Sequence, residues 1–136
     1  MVLSWDTITK FNISSPPTYS LGRSSEIQDK YDIHREWIKS SNIDIKKYIY
    51  DKFNLIKNGI IFIENEFPYN CEEGIKHYVI WISERYPYSI EKLDNFIKNS
   101  LNVKDTGTEY VFYKNIPKNN SISSVNHYHV FAKFKK

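Results

Sequence analysis

The sequence predicts an α+β domain, with a mainly antiparallel sheet of about four strands and about three packed helices. Three observations support this fold class. Apolar and aromatic residues recur at helical spacing in three segments. Four short runs are rich in β-branched and aromatic residues, as strands are. At two places along the chain, two consecutive predicted strands are joined by a loop without a helix between them, and such connections favour antiparallel pairing.

Each predicted helix combines a start signal with an apolar stripe. The first begins near Ser25, where Gln28 completes a capping box. The second begins near residue 41, and Ser89 caps the third. Trp37 is expected in the core because it lies on the first stripe. In chain order the three stripes are Ile27, Tyr31, His34, Trp37 and Ile38; then Ile45, Tyr48, Ile49 and Phe53; then Ile90, Leu93, Phe96, Ile97 and Leu101.

The strands are predicted at residues 60–63, 77–83 and 110–113, with a fourth inside 121–131. Side chains alternate between the two faces of a strand. Both faces of the second strand are substantially apolar, which indicates a central strand that is covered on both sides.

Residues 1–22 are predicted to be irregular, because Pro16-Pro17 stops any helix or strand that begins near Thr7. Residues 23–136 then form a single domain, as expected for a length of 136 residues. Hydrophobic residues make up 40% of the chain and charged residues 26%, which excludes a disordered chain.

Charge and cysteine content narrow the class of function. The net charge is +3, too small to imply nucleic-acid binding, and much of the excess lies in Lys133, Lys135 and Lys136, read as a solvated end. Cys71 is the single cysteine, so an intramolecular disulfide and a cysteine-rich zinc site are excluded. The first six residues lack the features of a signal peptide, and no apolar run is long enough for a bilayer. We therefore expect a cytoplasmic protein without a membrane partner; the oligomeric state is not predicted.

The predicted last strand carries the residues that best indicate chemistry. His127 and His129 are one residue apart and therefore share a face. Two imidazoles on one face can bind a metal, act as a nucleophile with its helper, or clamp an anion. The alternative is a pair of histidines on the wet face of an edge strand. His77, at the start of the second strand, is the third candidate.

Three imidazoles plus water could form a metal site. Nothing in the sequence brings His77 to the other two, so we assign no metal ligand and no cofactor. Glycine loops for phosphate, the G-x-S-x-G elbow and H-E-x-x-H are all absent.

A phosphate site is the favoured alternative. Arg23, Arg85 and Lys114, with the histidines, could neutralise a phosphorylated ligand, and Ser124 could donate a hydrogen bond to it. Trp81 could stack on such a ligand, although a core position is the more ordinary role. RNA recognition by aromatic stacking is also open, but a basic groove signature is lacking.

Three segments together resemble one family. They are 22–37 (GRSSEIQDKYDIHREW), 63–81 (IENEFPYNCEEGIKHYVIW) and 113–130, which runs from Tyr113-Lys114-Asn115 to His127-Tyr128-His129-Val130. They are similar, in order, to segments of the N-acetylglucosamine-induced protein family of fungi, a domain of unknown function. This chain has Phe67 and Ile116 where that family has tryptophan. The resemblance implies a cytosolic protein linked to amino-sugar metabolism, and we assign Asn115 to the ligand-binding set.

A more distant resemblance is to the histidine-triad superfamily of nucleotide hydrolases and transferases. Phe67-Pro68, Gly74, His77, Ser124 and His127-Tyr128-His129 stand in the order of its motifs. The resemblance implies that His129 is the nucleophile, that His127 assists it and that Ser124 contacts phosphate. The third triad position is Phe131, and Gly74 is not adjacent to His77, so the chemistry could be lost while the pocket persists.

The sequence therefore predicts a domain that binds a phosphorylated small molecule, a nucleotide or an amino-sugar derivative. As an enzyme, it would be a histidine-dependent phosphoester hydrolase or transferase, with catalytic residues His77, His127 and His129. The alternative is a non-catalytic binding or regulatory module for RNA or protein.

Overall fold

The computed structural model describes residues 2–120 and 122–134, so Met1, Ser121 and the predicted solvated end at Lys135 and Lys136 lie outside the described residues. The helices are α1 (Trp5–Ile8), α2 (Ser25–Ser40), α3 (Ile45–Lys52), α4 (Leu55–Asn58), α5 (Ile90–Ser100) and α6 (Val103–Thr106), with a 3₁₀ turn at Pro117–Asn119. The strands are β1 (Ile60–Glu64), β2 (Ile75–Ile82), β3 (Glu109–Tyr113) and β4 (Asn126–Lys133).

The four strands form one antiparallel sheet in the order β1-β2-β4-β3. The predicted α+β fold class and the central position of β2 are confirmed. Three of the helices are eight residues or longer, and the other three have four residues each. Within the pairing of β2 with β4, Val79 lies opposite His129 and Trp81 lies opposite His127.

Side-chain caps fix the starts of the three long helices. Ser24, one residue before the predicted cap, accepts a hydrogen bond from the Ile27 backbone N–H at the start of α2. Asp44 caps α3, two to three residues later than predicted, and Ser89 caps α5 as predicted. The second predicted helix is split, because Asn54 takes a left-handed conformation (φ 49°) between α3 and α4.

Helix α5 covers one face of the sheet. Its buried Leu93 and Ile97 pack against the even-numbered residues of the central strands, including Ile80 and Val130. These four side chains are almost fully buried, and apolar burial of this kind is the main stabilising contribution to a small domain. This face is therefore structural core.

The opposite, odd-numbered face is covered in two separate places. Ile49 and Leu55, from α3 and α4, pack on Val79 and Trp81. At the other end, N-terminal residues pack on Tyr113 and Phe131; they are Leu3, Trp5, Ile8, Phe11 and Leu21. Between these two clusters the sheet presents its histidines.

The prediction for residues 1–22 needs correction. The segment holds α1, which is capped by Ser4, and Leu3 pairs with Cys71 next to the sheet. Aromatic and aliphatic side chains that looked unpatterned are buried because they cover β3 and β4. The proline pair lies within this segment and does not separate it from the core, since Pro17 is itself fully buried.

Trp37 was expected in the core, and this prediction is wrong, because its side chain is 49% exposed. Only Tyr31 and Ile38 of α2 are buried, so this helix rests on a narrow stripe. Trp37 instead contacts the rings of His34 and Tyr48 at the surface. Within the described part of the chain, no helix has the length and apolarity needed to cross a bilayer.

Candidate functional site

A cleft of about 1140 Å³ lies between the odd-numbered face of the sheet and helices α2 and α3. Among the predicted site residues, the cleft is lined by Arg23, Trp81, Asn115, His127 and His129. These residues come from a loop, two strands and the segment after β3, so the antiparallel pairing of β2 with β4 is what brings them together.

His77 lies directly behind His129. Nε2 of His77 is 2.8 Å from Nδ1 of His129, and both side chains are buried, with exposed fractions of 2% and 5%. On the far side of His77, Nδ1 accepts a hydrogen bond from the backbone N–H of Tyr69 at 3.0 Å. On the far side of His129, Nε2 lies 3.0 Å from the side-chain amide of Asn115. We call this series, from the Tyr69 N–H through both imidazoles to Asn115, the histidine relay.

His127 belongs to a different arrangement. Its Nδ1–H donates to the backbone oxygen of Val125 at 2.9 Å, which leaves Nε2 unprotonated in the neutral ring. Among residues 2–120 and 122–134, no group hydrogen-bonds this Nε2. The ring packs on Trp81, with 4.6 Å between centroids, at the wall of the cleft. Of the three candidate histidines, His127 is therefore the one whose second nitrogen has no hydrogen-bond partner among the described residues.

All three histidines are held in the neutral form. Burial lowers the pKa of His129 to about 3, and the positive charge of Arg23, together with any protonation of the neighbouring His127, acts in the same direction. Burial also lowers the pKa of His77, assisted by His129 and Arg23. Burial lowers the pKa of His127, and the hydrogen bond to Val125 opposes this only in part. At neutral pH these imidazoles are bases and hydrogen-bonding groups, not cations.

Arg23 is the cation next to the histidine relay. Its guanidinium lies over the rings of Tyr31 and Tyr69, at 4.1 and 5.1 Å from their centroids, and its Nε donates to the Phe67 oxygen at 2.7 Å. Among the described residues no carboxylate forms an ion pair with it. Two aromatic rings and one carbonyl thus orient a guanidinium that no carboxylate in the described part of the chain neutralises.

Aromatic side chains that the sequence did not single out complete the site. Tyr69 stacks on His129 at 5.6 Å between centroids, and Phe67 contacts the rings of Tyr31 and His34. Phe53 faces Trp81 at 6.3 Å. Tyr69 follows Pro68 in a loop, where an aromatic residue has no periodic pattern. Its position two residues after Phe67 in one of the resembling segments was the available signal.

Three predicted ligand-binding residues do not line the cleft. Arg85 is exposed beyond the end of β2, where the chain leaves the sheet. Nζ of Lys114 donates to Asn126 and lies 5.9 Å from the ring of Tyr128, on the face that α5 covers. Ser124 is exposed before β4. Successive side chains point to opposite faces, so Lys114 lies on the other side of the sheet from Tyr113 and Asn115.

The geometry also bears on the metal and histidine-triad alternatives. The facing nitrogens of His77 and His129 share a hydrogen bond, so they do not converge on a common ion. Within the residues that the structure describes, no group of three metal-ligating side chains is present. At the third triad position the fully buried Phe131 stacks on His77 at 4.4 Å, so its ring occupies the space where a polar group would stand.

Comparisons with known proteins show the fold and the family. The crystal structure of HTC1 is similar, with a TM-score of 0.64 at 21% sequence identity, over 97% of this chain and 85% of that one. That likeness shows a shared fold. No curated protein matches the sequence significantly. The model of a family described as protein of unknown function (DUF3605) matches residues 4–133, and by this match the chain belongs to the DUF3605 family.

Proposed function

We propose that this protein binds a phosphorylated small molecule, a nucleotide or an amino-sugar derivative, in the cleft and acts on its phosphoester through His127. The observation that carries the proposal is the guanidinium of Arg23, which lines the cleft and forms no ion pair with a carboxylate of the residues that the structure describes. The resemblance to the N-acetylglucosamine-induced protein family supports the amino-sugar class. The proposal includes the cytoplasmic location that the sequence predicts.

The anionic group of the ligand is assigned to the Arg23 end of the cleft. A planar guanidinium binds phosphate through two parallel N–H donors, and its interaction is strongest where water is partly excluded. The neutral histidines add hydrogen-bonding groups without adding charge, so Arg23 sets the charge preference at this end.

The ring of the ligand is assigned to the Trp81 end. Phe53 and Tyr48, which are partly exposed, line the cleft beside the buried Trp81 and offer flat apolar surfaces to a base or a sugar ring. His127 lies between this aromatic end and His129, at 5.6 Å from the latter ring. A ligand that spans both ends would therefore pass Nε2 of His127.

For the chemical step the proposal replaces His129 with His127 as the nucleophile. Both nitrogens of His129 are engaged in the histidine relay, whereas no described residue hydrogen-bonds the lone pair on Nε2 of His127. Nε2 attacks phosphorus, a P–N bond forms, and the P–O bond to the leaving group breaks with its electron pair on oxygen. Water or an acceptor alcohol then attacks phosphorus, and the P–N bond breaks with its electron pair on Nε2, which restores the neutral imidazole. The proton of the attacking hydroxyl passes through solvent to the oxygen of the leaving group.

Thermal-shift measurements test binding. The panel contains nucleotides, amino-sugar phosphates, unphosphorylated sugars and short RNAs. A ligand at one hundred times its Kd stabilises the folded state by about 2.7 kcal/mol, which raises Tm by several degrees. We expect this rise with a phosphorylated small molecule for the wild type and for the control Arg85→Gln, and its loss in Arg23→Gln.

A second variant separates binding from turnover. In His127→Asn the new amide N–H can still donate to the Val125 oxygen, but the free nitrogen is gone. We expect this variant to keep the thermal shift and to lose phosphate release and the acid-labile phosphohistidine ³¹P signal. Equal shifts in Arg23→Gln and the wild type would contradict the proposal. A salt-dependent shift with RNA alone would favour the binding module instead.

A further inference from the structure

We infer that Asn115 is a ligand-binding residue whose side-chain N–H points into the cleft, because the hydrogen bonds of the histidine relay can all be donated in one direction only. The inference rests on the proposed function, since it names the protein atom that faces an oxygen of the bound molecule. It adds that this oxygen is a hydrogen-bond acceptor, such as an unprotonated phosphoryl or a carbonyl oxygen.

The direction of the relay begins at a backbone group. The Tyr69 N–H can only donate, so Nδ1 of His77 is an acceptor and the single proton of this neutral ring is on Nε2. That proton lies between His77 and His129, which makes Nδ1 of His129 an acceptor as well. The remaining proton of His129 is therefore on Nε2, and this N–H faces Asn115.

The orientation of the amide follows. The two ends of an asparagine amide have nearly the same shape and are assigned from their hydrogen bonds. An amide nitrogen 3.0 Å from the protonated Nε2 of His129 would set donor against donor, so Oδ1 takes this place and accepts the hydrogen bond. The same oxygen accepts from the Tyr69 hydroxyl at 3.2 Å. Only the 3.4 Å contact with the Asn119 carbonyl, at the limit for a hydrogen bond, is given up.

The other end of the amide then defines what the cleft recognises. Asn115 lines the cleft with an exposed fraction of 9%, and with Oδ1 on His129 the two Nδ2 protons point away from the relay. Tyr69 contacts both Asn115 and the Arg23 guanidinium, so this donor lies near the proposed anion site. His77 and His129 are positioning residues in this scheme, and Asn115 is the group that touches the ligand.

Nitrogen NMR of the ligand-free protein tests the direction of the relay. Long-range ¹H–¹⁵N correlation spectra distinguish the two neutral tautomers of each imidazole. We expect the Nε2–H tautomer for His77 and His129, and the Nδ1–H tautomer for His127. An Nδ1–H tautomer at His129 would reverse the relay and overturn the inference, whether or not any ligand binds.

Ligand binding to Asn115→Asp tests the donor. The carboxylate still accepts from His129, so the tautomers should stay as in the wild type, but an anionic acceptor replaces the N–H in the cleft. With adenosine 5′-monophosphate and glucosamine 6-phosphate as probes, we expect Kd to rise on the order of tenfold or more. Asn95→Asp, exposed on α5, carries the same charge change and should bind like the wild type.

The outcomes are separable from those of the proposed function. Unchanged Kd in Asn115→Asp, with binding still lost in Arg23→Gln, would overturn the inference and keep the proposed function. The absence of binding of either probe to the wild type would remove the donor role together with the proposed function, while the tautomer spectra still decide the direction of the relay.

Discussion

Each residue of the histidine relay depends on the next for its hydrogen bond. His129 is bonded on both sides, so a His129→Leu substitution leaves the Nε2–H of His77 and the amide of Asn115 without this partner. A buried polar group without a partner costs about 1–3 kcal/mol. We expect the single substitution to lower the free energy of unfolding in urea by about 2–5 kcal/mol.

A double-mutant cycle shows whether this loss comes from unpaired polar groups. Changing His77 to Phe as well removes the stranded donor and places an aromatic ring beside Phe131, which already stacks on the imidazole. The backbone N–H of Tyr69 loses its acceptor in the double variant His77→Phe/His129→Leu. We therefore expect the two single losses to be less than additive, with a coupling energy of about 1–2 kcal/mol. Additive losses would mean that the two imidazoles contribute independently.

Residue patterns predicted one part of this site and not the other. Alternation along a strand placed His127 and His129 on one face, as the structure has them. The contact of His77 with His129 depends on the register that sets Val79 opposite His129, and register is fixed by the whole sheet. The carbonyl of Val125, which decides the tautomer of His127, is a backbone group, and residue types carry no information about its direction.

At the scale of the element, two isoleucines of α5 show how the cost of a substitution depends on burial. Ile97 is fully buried against the sheet, whereas Ile90, on the same helix, is 42% exposed. We expect Ile97→Ala to lower the free energy of unfolding by about 2–5 kcal/mol, through lost apolar contacts and the cavity that remains. Ile90→Ala is the matched control and should stay within about 0.5 kcal/mol of the wild type in the same urea titration.

Helix α2 differs from α5, because it buries few side chains and forms one wall of the cleft. Ser24→Ala removes the hydrogen bond to the Ile27 N–H, which costs about 1 kcal/mol. We expect amide exchange to speed up by on the order of fivefold within α2, with the sheet unaffected, because weakly packed elements open locally.

The equivalent change at the start of α5 provides the comparison. Ser89→Ala removes the same type of cap, but α5 is packed against the sheet through buried side chains. We expect Ser89→Ala to lower the free energy of global unfolding, without a separate increase of amide exchange within α5. Faster exchange across the whole protein in Ser24→Ala would contradict a separate opening of α2.

Elements with a periodic pattern were predictable, and those held by tertiary contacts were not. The four strands and α5 follow their apolar patterns closely. The N-terminal segment has no period, yet Leu3 and Ile8 are buried because they cover β3 and β4. Trp37 lies on a helical stripe but stays exposed, because its contacts with the rings of His34 and Tyr48 are at the surface and not in the core.

At the scale of the whole molecule, three buried histidines couple stability to pH. The pKa of His129 is lowered to about 3, and the pKa values of His77 and His127 are also lowered by burial. In the unfolded chain each titrates near 6.5, so below about pH 6.5 the unfolded state binds more protons than the folded state. The stabilisation is complete above that pH and is lost as the pH falls towards the folded pKa values.

The expected slope is about 1.4 kcal/mol per pH unit for each histidine that stays neutral in the folded protein. Urea titrations between pH 6.5 and 5 measure it in a range where most carboxylates of the unfolded chain remain ionised. The double variant His77→Phe/His129→Leu lacks two of the three groups. The slope of its unfolding free energy against pH should therefore be smaller than that of the wild type by about 2.8 kcal/mol per pH unit. Arg23 remains in place in this variant, so its charge does not account for the difference. Equal slopes in the two proteins would show that the imidazoles of the relay take up protons in the folded state, and the neutral relay would then have to be abandoned.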